Sequence, residues 1–341
     1  MKNLLAAAFL LLLLTSIAVA QPRIDTLKHG KETSGAQLLR LHPKTGEVFH
    51  YRIVTKSLVT AKNSDELLEI PNLRPDDKST YSISYFITAS VRKTRNDGAV
   101  DFQIYIDSIH SGVNDNGKIQ SYTSTLTGQA HDPMFEDKAI FAGRDLGVIV
   151  DTLGSLKEVY GFYAIAEQFE NRLPDSLQTG DRFDSIADDV SSHIKNIVRH
   201  IFCYLSKDQV APGDTLSSSV KEDYPVWSSL AFPVEKTFRE ILSSVEERDG
   251  KLYAVYSGET VITPMERVLE EPEYHTTLPN YSFLNSDRYY VDCSNGMLAF
   301  DKWTEDQSYG MKIESKLPAK AGKNFVTVQH SKVETVIELL R

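Results

Sequence analysis

Between Leu153 and Asp208 lies the chain's one sustained run of helical spacing, and β-type sequence flanks it on both sides. A helical insert between two β-rich stretches leaves few folds open, because both amphipathic helices and half-apolar strands must bury a face against something. Two helices are read. The first covers Ser155 to Arg172, with Val159, Phe162, Tyr163, Ala166 and Phe169 at steps of three and four. Pro174 ends it, since a residue before proline avoids the helical region. The second covers Ser185 to Lys207. Asp184 or Ser185 caps it, and Ile186, Val190, Ile194, Ile197, Val198, Ile201, Phe202 and Leu205 form its apolar stripe. Neither stripe is satisfied by a helix pair alone, so both are expected to pack on a sheet.

The flanking stretches alternate with period two. From Thr80 to Thr94, residues Tyr81, Ile83, Tyr85, Ile87, Ala89 and Val91 share one face. Asn96-Asp97-Gly98 is a hairpin signal, with Ala99 to Ser111 as the return strand. Asn114-Asp115-Asn116-Gly117 reads as another hairpin, leading to a strand from Lys118 to Thr125. Ile140 to Ala142 and Val148 to Val150 are short strand candidates. After the helices, Asp214 to Glu222 and Glu235 to Glu247 read as strands, and Tyr224 to Phe232 as a loop. Arg248-Asp249-Gly250 turns the chain into Lys251 to Ile262. Ala61 to Lys78 and Glu266 to Asn280 are charged, carry prolines and read as loops. Tyr289 to Cys293, Met297 to Thr304, Tyr309 to Ser315 and Asn324 to Leu340 complete a second meander.

The fold class expected is therefore α+β, a large antiparallel, curved β-sheet built from two meander halves. The central helix pair packs on one face. The divisions are a signal peptide at 1–20, a flexible segment at 21–45, and the first meander half at 46–152. The helix pair takes 153–208 and the second meander half 209–341.

Met1 to Ala20 has the pattern of a secretory signal: Lys2, an apolar run from Leu4 to Leu14, and Ala18-Val19-Ala20 before the cut. Cleavage there would leave 36 basic against 47 acidic residues, a net charge of −11, and no transmembrane segment. Such a balance speaks against nucleic acid or an anionic membrane surface as partner. The expected location is periplasmic or secreted. Cys203 and Cys293 then permit one disulfide, stapling the second helix to a late strand. It would close a loop of about 90 residues, worth roughly 4–5 kcal/mol in the entropic account. The alternative is two buried thiols acting as small hydrophobes.

No nucleophile elbow, phosphate loop, dinucleotide fingerprint or His-Glu-x-x-His occurs, so no cofactor, catalytic residue or metal is assigned. Asp189, His193 and His200 share the second helix in a spacing that admits metal, but such histidines more often edge an apolar stripe. Read as a calcium loop, the Asn114 turn would need ligands at Gly112 and Thr123, neither a carboxylate.

The order β-meander, two helices, β-meander behind an export signal resembles uncharacterised bacterial envelope proteins of unknown function. The carrying residues are Tyr81 to Ile109 with the Asn96-Asp97-Gly98 turn, Asp151-Thr152-Leu153-Gly154, Pro212-Gly213-Asp214, and Tyr289 to Gly296. More remotely, the architecture resembles the half-barrel of periplasmic lipoprotein carriers and related lipid-binding lipoproteins. The lipobox cysteine of many such proteins is missing. The resemblance implies a fold, not an activity.

A space between a curved sheet and the helices would be filled by side chains or left as an apolar cavity. Tyr160, Phe162, Phe169, Trp227 and Phe232 are the candidates to line it. The expected function is an exported, non-enzymatic binding protein for an apolar small molecule or lipid. The alternative is a structural or assembly protein acting through an envelope protein partner. A hydrolase with a site assembled from distant residues is the third reading.

Overall fold

In this computed structural model residues 26–28, 36–67, 74–125, 135–172, 183–227 and 230–340 are described. The signal candidate Met1–Ala20 lies outside them. β1 (Thr26–Lys28) is followed by β2 (Val48–Asp65), β3 (Asp76–Thr94), β4 (Val100–Asp115) and β5 (Lys118–Thr123). A short helix α1 (Glu136–Phe141) precedes β6 (Asp145–Val150) and β7 (Leu156–Tyr160). Then come α2 (Tyr163–Arg172), α3 (Phe183–Val198) and a 3-10 turn at Arg199–Ile201. The chain returns through β8 (Thr215–Trp227), β9 (Leu230–Arg248), β10 (Lys251–Pro264) and β11 (Val268–Glu270). It ends with β12 (Tyr274–Asp292), β13 (Leu298–Ser315) and β14 (Asn324–Leu340).

The strands form one open sheet in the order β1-β8-β9-β10-β12-β13-β14-β2-β3-β4-β6-β7, with β11 beside β12 and β5 beside β4. The two meanders meet where β14 pairs with β2, from Phe325↔Asp65 to Leu340↔His50. Alternation sets the faces. Tyr81, Ile83, Tyr85, Ile87, Ala89 and Val91 are buried, while Thr80 and Ser82 between and beside them point to solvent. The sheet curls toward its buried face. Tyr224 of β8 reaches the rings of Tyr281 and Phe283 in β12 at 6.5 and 6.3 Å between centroids. Across two intervening strands a flat sheet would hold them about 14 Å apart.

The helical layer covers one end of that face. Ile194, Val198, Ile201 and Leu205 are wholly buried, and Phe202 packs on Phe102 of β4 at 4.9 Å. A second apolar cluster sits at the other end, with Phe232, Leu278, Tyr309, Met311 and Phe325 around Leu67.

Several expectations are corrected. The first helix starts at Tyr163, and Leu156–Tyr160 is strand. Val159 pairs with Val148, and Tyr160 lies over Gly147, where a Cβ would come within 1.9 Å of its ring. Gly161, at φ +83°, separates strand from helix. The second helix stops at Val198, and after the 3-10 turn Phe202 is extended at φ −121°, ψ 120°. Tertiary contacts win there: Leu205 N–H donates to Leu153 O at 2.8 Å, and Gly154 leaves room for the Cys203 carbonyl. Cys203 is therefore not on the helix, and both cysteines are free thiols.

Ile140 belongs to α1 rather than to a strand. In the segment Tyr224 to Phe232, expected to be a loop, residues 224–227 belong to β8 and 230–232 to β9 and pair with each other, and Glu266 to Asn280 contains β11 and the start of β12. Leu298–Ser315 is one strand, β13, where two were expected. Within the segment 21–45, expected to be flexible, residues 26–28 and 36–45 are described, and contacts hold them. Thr26–Lys28 pairs with β8, Gln37 bridges Val210, and Leu39 and Leu41 are buried. Leu41 N–H donates to Thr152 O and His42 N–H to Asn295 O, both at 2.9 Å, so this strap ties both meanders together.

Candidate functional site

Among the described residues, side chains of the helices and the sheet pack into one apolar core. Phe162 and Phe169 pack half-buried against the core that α3 and β4 share. Tyr160 is held at the β7 edge, its hydroxyl donating to Asp101 Oδ1 at 2.6 Å and accepting from Arg92. Phe232 is wholly buried in the far cluster. Trp227 ends β8, and its side chain is outside the described set. Of the four whose side chains are described, Phe162 and Phe169 pack at the helical end and Phe232 lies in the far cluster. The histidine set is dispersed as well: His193 stacks on Phe141 at 4.8 Å and His200 on Trp303 at 6.1 Å, while Asp189 is exposed. Among the described residues no cluster of three metal-ligating side chains forms.

A groove of about 790 Å³ lies on the opposite, open face of the sheet. Its walls are two rows of cross-strand partners. One row runs Ile119, Asn114, Thr80, Leu58, Lys332, Asp306, Leu284 from β5 to β12. The other runs Ser121, Gly112, Ser82, Lys56, Glu334, Thr304, Ser286 along the same seven strands. Strands about 4.8 Å apart make the rows roughly 29 Å long. The second row is mostly small, and Gly112 contributes no side chain, which opens the floor. Three apolar side chains punctuate the first row, and Ile119 and Leu284 are 74% and 47% exposed. Charges line the middle. Lys332 sits 3.5 Å from Asp306, and Glu334 2.9 Å from Lys302. An elongated trough with apolar steps and central charge pairs suits an amphiphilic chain better than a compact polar substrate.

Behind the groove, on the buried face, lies a set of carboxylates that the sequence analysis did not single out. Glu240, Gly258, Asp287 and Trp303 are successive cross-strand partners on β9, β10, β12 and β13. Asp301 pairs with Tyr289, and Tyr289 with Tyr256, one row away. Tyr289 stacks on Tyr256 at 4.9 Å and donates its hydroxyl to Glu240 Oε2 at 3.0 Å. Gly258 allows Asp287 to lean toward Glu240, since a Cβ there would lie 2.1 Å from Asp287 Oδ1. Burial and the neighbouring Asp287 push Glu240 up to about 8. Burial also raises Asp287 to about 6 and holds Asp301 well above the usual carboxylate range. One row further, burial raises Glu305 to about 7 against the pull of Lys236.

No family model matches the chain, and no curated protein sequence matches it. Among solved structures, one described as showing lipid–protein interactions in lipovitellin is similar over 87% of this chain, with TM-score 0.42 and 11% identity. The ferric citrate transporter FecA overlaps 87% of the chain and 40% of its own, with TM-score 0.16 and 9% identity. OccK5 of Pseudomonas aeruginosa overlaps 86% and 98%, with TM-score 0.17 and 6% identity. The chain spans a quarter of the lipovitellin chain. Likeness at this level assigns no function.

Proposed function

We propose that the protein is a non-enzymatic binding protein that holds an amphiphile along the open-face groove. The observation that carries this reading is the groove itself, walled in register across seven strands and stepped by Leu58, Ile119 and Leu284. The ligand's apolar chain would lie on those steps and its polar end beside Lys56 and Lys332. Binding would come from apolar area removed from water, about 25 cal/mol per Å² before ordering costs. Met1–Ala20 supports export, hence a periplasmic or secreted site of action. Among the described residues no helix is long and apolar enough to cross a membrane.

A fluorescent fatty acid titrated into the purified protein should bind saturably. Leu58→Asp with Leu284→Asp should weaken it at least 10-fold while leaving the unfolding transition in place. Absence of saturable binding to the unaltered protein sinks the reading. A second reading, assembly with an envelope protein partner, draws on the edge of β8. β1 covers only Thr215–Ser217 of that strand, leaving the rest without an outer neighbour among the described residues. Cross-linking in cells that yields a stoichiometric protein partner would favour it.

A further inference from the structure

We propose that Glu240, Asp287 and Asp301 form a proton-holding triad that seals residues 199–205 onto the sheet and releases them when its protons leave. This inference is independent of the groove and its ligand.

The geometry is that of acids without counterions. The three carboxylates come from β9, β12 and β13 on one face, and Gly258 on the intervening β10 lets Asp287 lean toward Glu240. What acts on them is burial, one another, the Tyr289 hydroxyl, and the backbone N–H groups of Gly258 and Lys302; among the described residues no lysine or arginine does. Asp287 Oδ1, Asp301 Oδ1 and the Tyr256 hydroxyl are out of contact with solvent and have no hydrogen-bond partner among the described residues. A buried acceptor without a donor is costly, and a protonated carboxyl supplies the missing O–H. All three residues keep part of their surface exposed, but ionising them together would place like charges side by side on a largely apolar face, which favours retained protons.

The segment above the triad is shaped by the same strands. His200 stacks on Trp303, the register partner of Asp287, and the Cys203 thiol feels the charge of Glu240 and Asp301. Other titratable groups facing this region are Arg199, Tyr256, Tyr289, Asp214, Lys236 and Glu305. Arg199 bears on His200 and Lys236. His200 is pushed down to about 3 by burial and Arg199, so it stays neutral and offers no counter-charge near neutral pH. The raised ionisation of Glu240 and Asp287, near 8 and 6, places the release in that interval. Loss of the protons sets Glu240 against Asp287 and Asp301, and lifting residues 199–205 relieves that repulsion by admitting water.

Trp303 is the local reporter, and Trp227 is the chain's only other tryptophan. In a Trp227→Phe protein, Trp303 emission and acrylamide quenching should be followed from pH 5 to 9. We expect a red shift and at least a twofold rise in quenching, with a midpoint between pH 6 and 8. Glu240→Gln alone should displace the midpoint, and Glu240→Gln with Asp287→Asn and Asp301→Asn should abolish the step. Glu305→Gln should leave it in place, separating the triad from the Lys236 pair. A flat titration of the single-tryptophan protein overturns the proposal without any carboxylate variant. So does an unmoved midpoint in Glu240→Gln, or a step that vanishes in Glu305→Gln.

Discussion

Glu240 lies between Phe238 and Leu242 on the buried side of β9, where charge is expensive. Its ordinary value is 4.5, and in the fold it rises to about 8. Below the unfolded value both states hold the proton and the group is neutral toward stability. Above it the unfolded chain releases a proton that the folded chain keeps. The fold's stability is therefore fully present below pH 4.5, and the group subtracts from it increasingly as pH rises toward about 8. Each pH unit in that span weakens folding by about 1.4 kcal/mol per retained proton. The melting temperature is expected to fall from pH 5 to pH 8, and Glu240→Gln to flatten that slope; calorimetry across the interval measures both. This site was legible in principle. Phe238, Glu240 and Leu242 stand at alternate positions, so an acid on the apolar face could be read once the strand was assigned. The closeness of Asp287 could not, because it depends on the register of β9, β10 and β12 and on the space left at Gly258.

At the scale of elements, α3 is the best-founded helix. Ile194, wholly buried, anchors it to the sheet. Ile194→Ala should lower unfolding stability by about 2–5 kcal/mol, the usual span for such a truncation, with urea melts as the measure. The helical stripe and the alternating strands were legible because each follows a local period. Leu156–Tyr160 was not, since Val159 and Phe162 satisfy a helical step as well as a strand. Only Gly147, which makes room for the Tyr160 ring, and Gly161 decide for the strand. The strand ends beyond Ile262 and before Tyr289 were hidden by charge and proline. At solvent-facing strand positions polar residues cost little, so composition alone reads as loop. The groove stayed hidden for the same reason, its walls being the polar side of well-formed strands.

For the whole molecule, the β14–β2 pairing decides whether there is one sheet or two. Removing residues 324–340 should abolish the single cooperative unfolding transition, leaving two broad ones or none in differential scanning calorimetry. The meander halves were legible one by one, but their fusion was not, because it pairs segments as far apart as Phe325 and Asp65.

That pairing also sets an order of events in time. Synthesis runs from the first residue to the last, so β2 exists long before its neighbour on one side does. Until the final strand arrives, an 18-residue ribbon stands with one edge bare. Such an edge recruits any other strand it meets, including the same strand of another nascent copy. β14 is therefore a closing stitch as much as a structural member. Chains cut short just before it would be the ones most prone to clump, although they carry nearly all of the core.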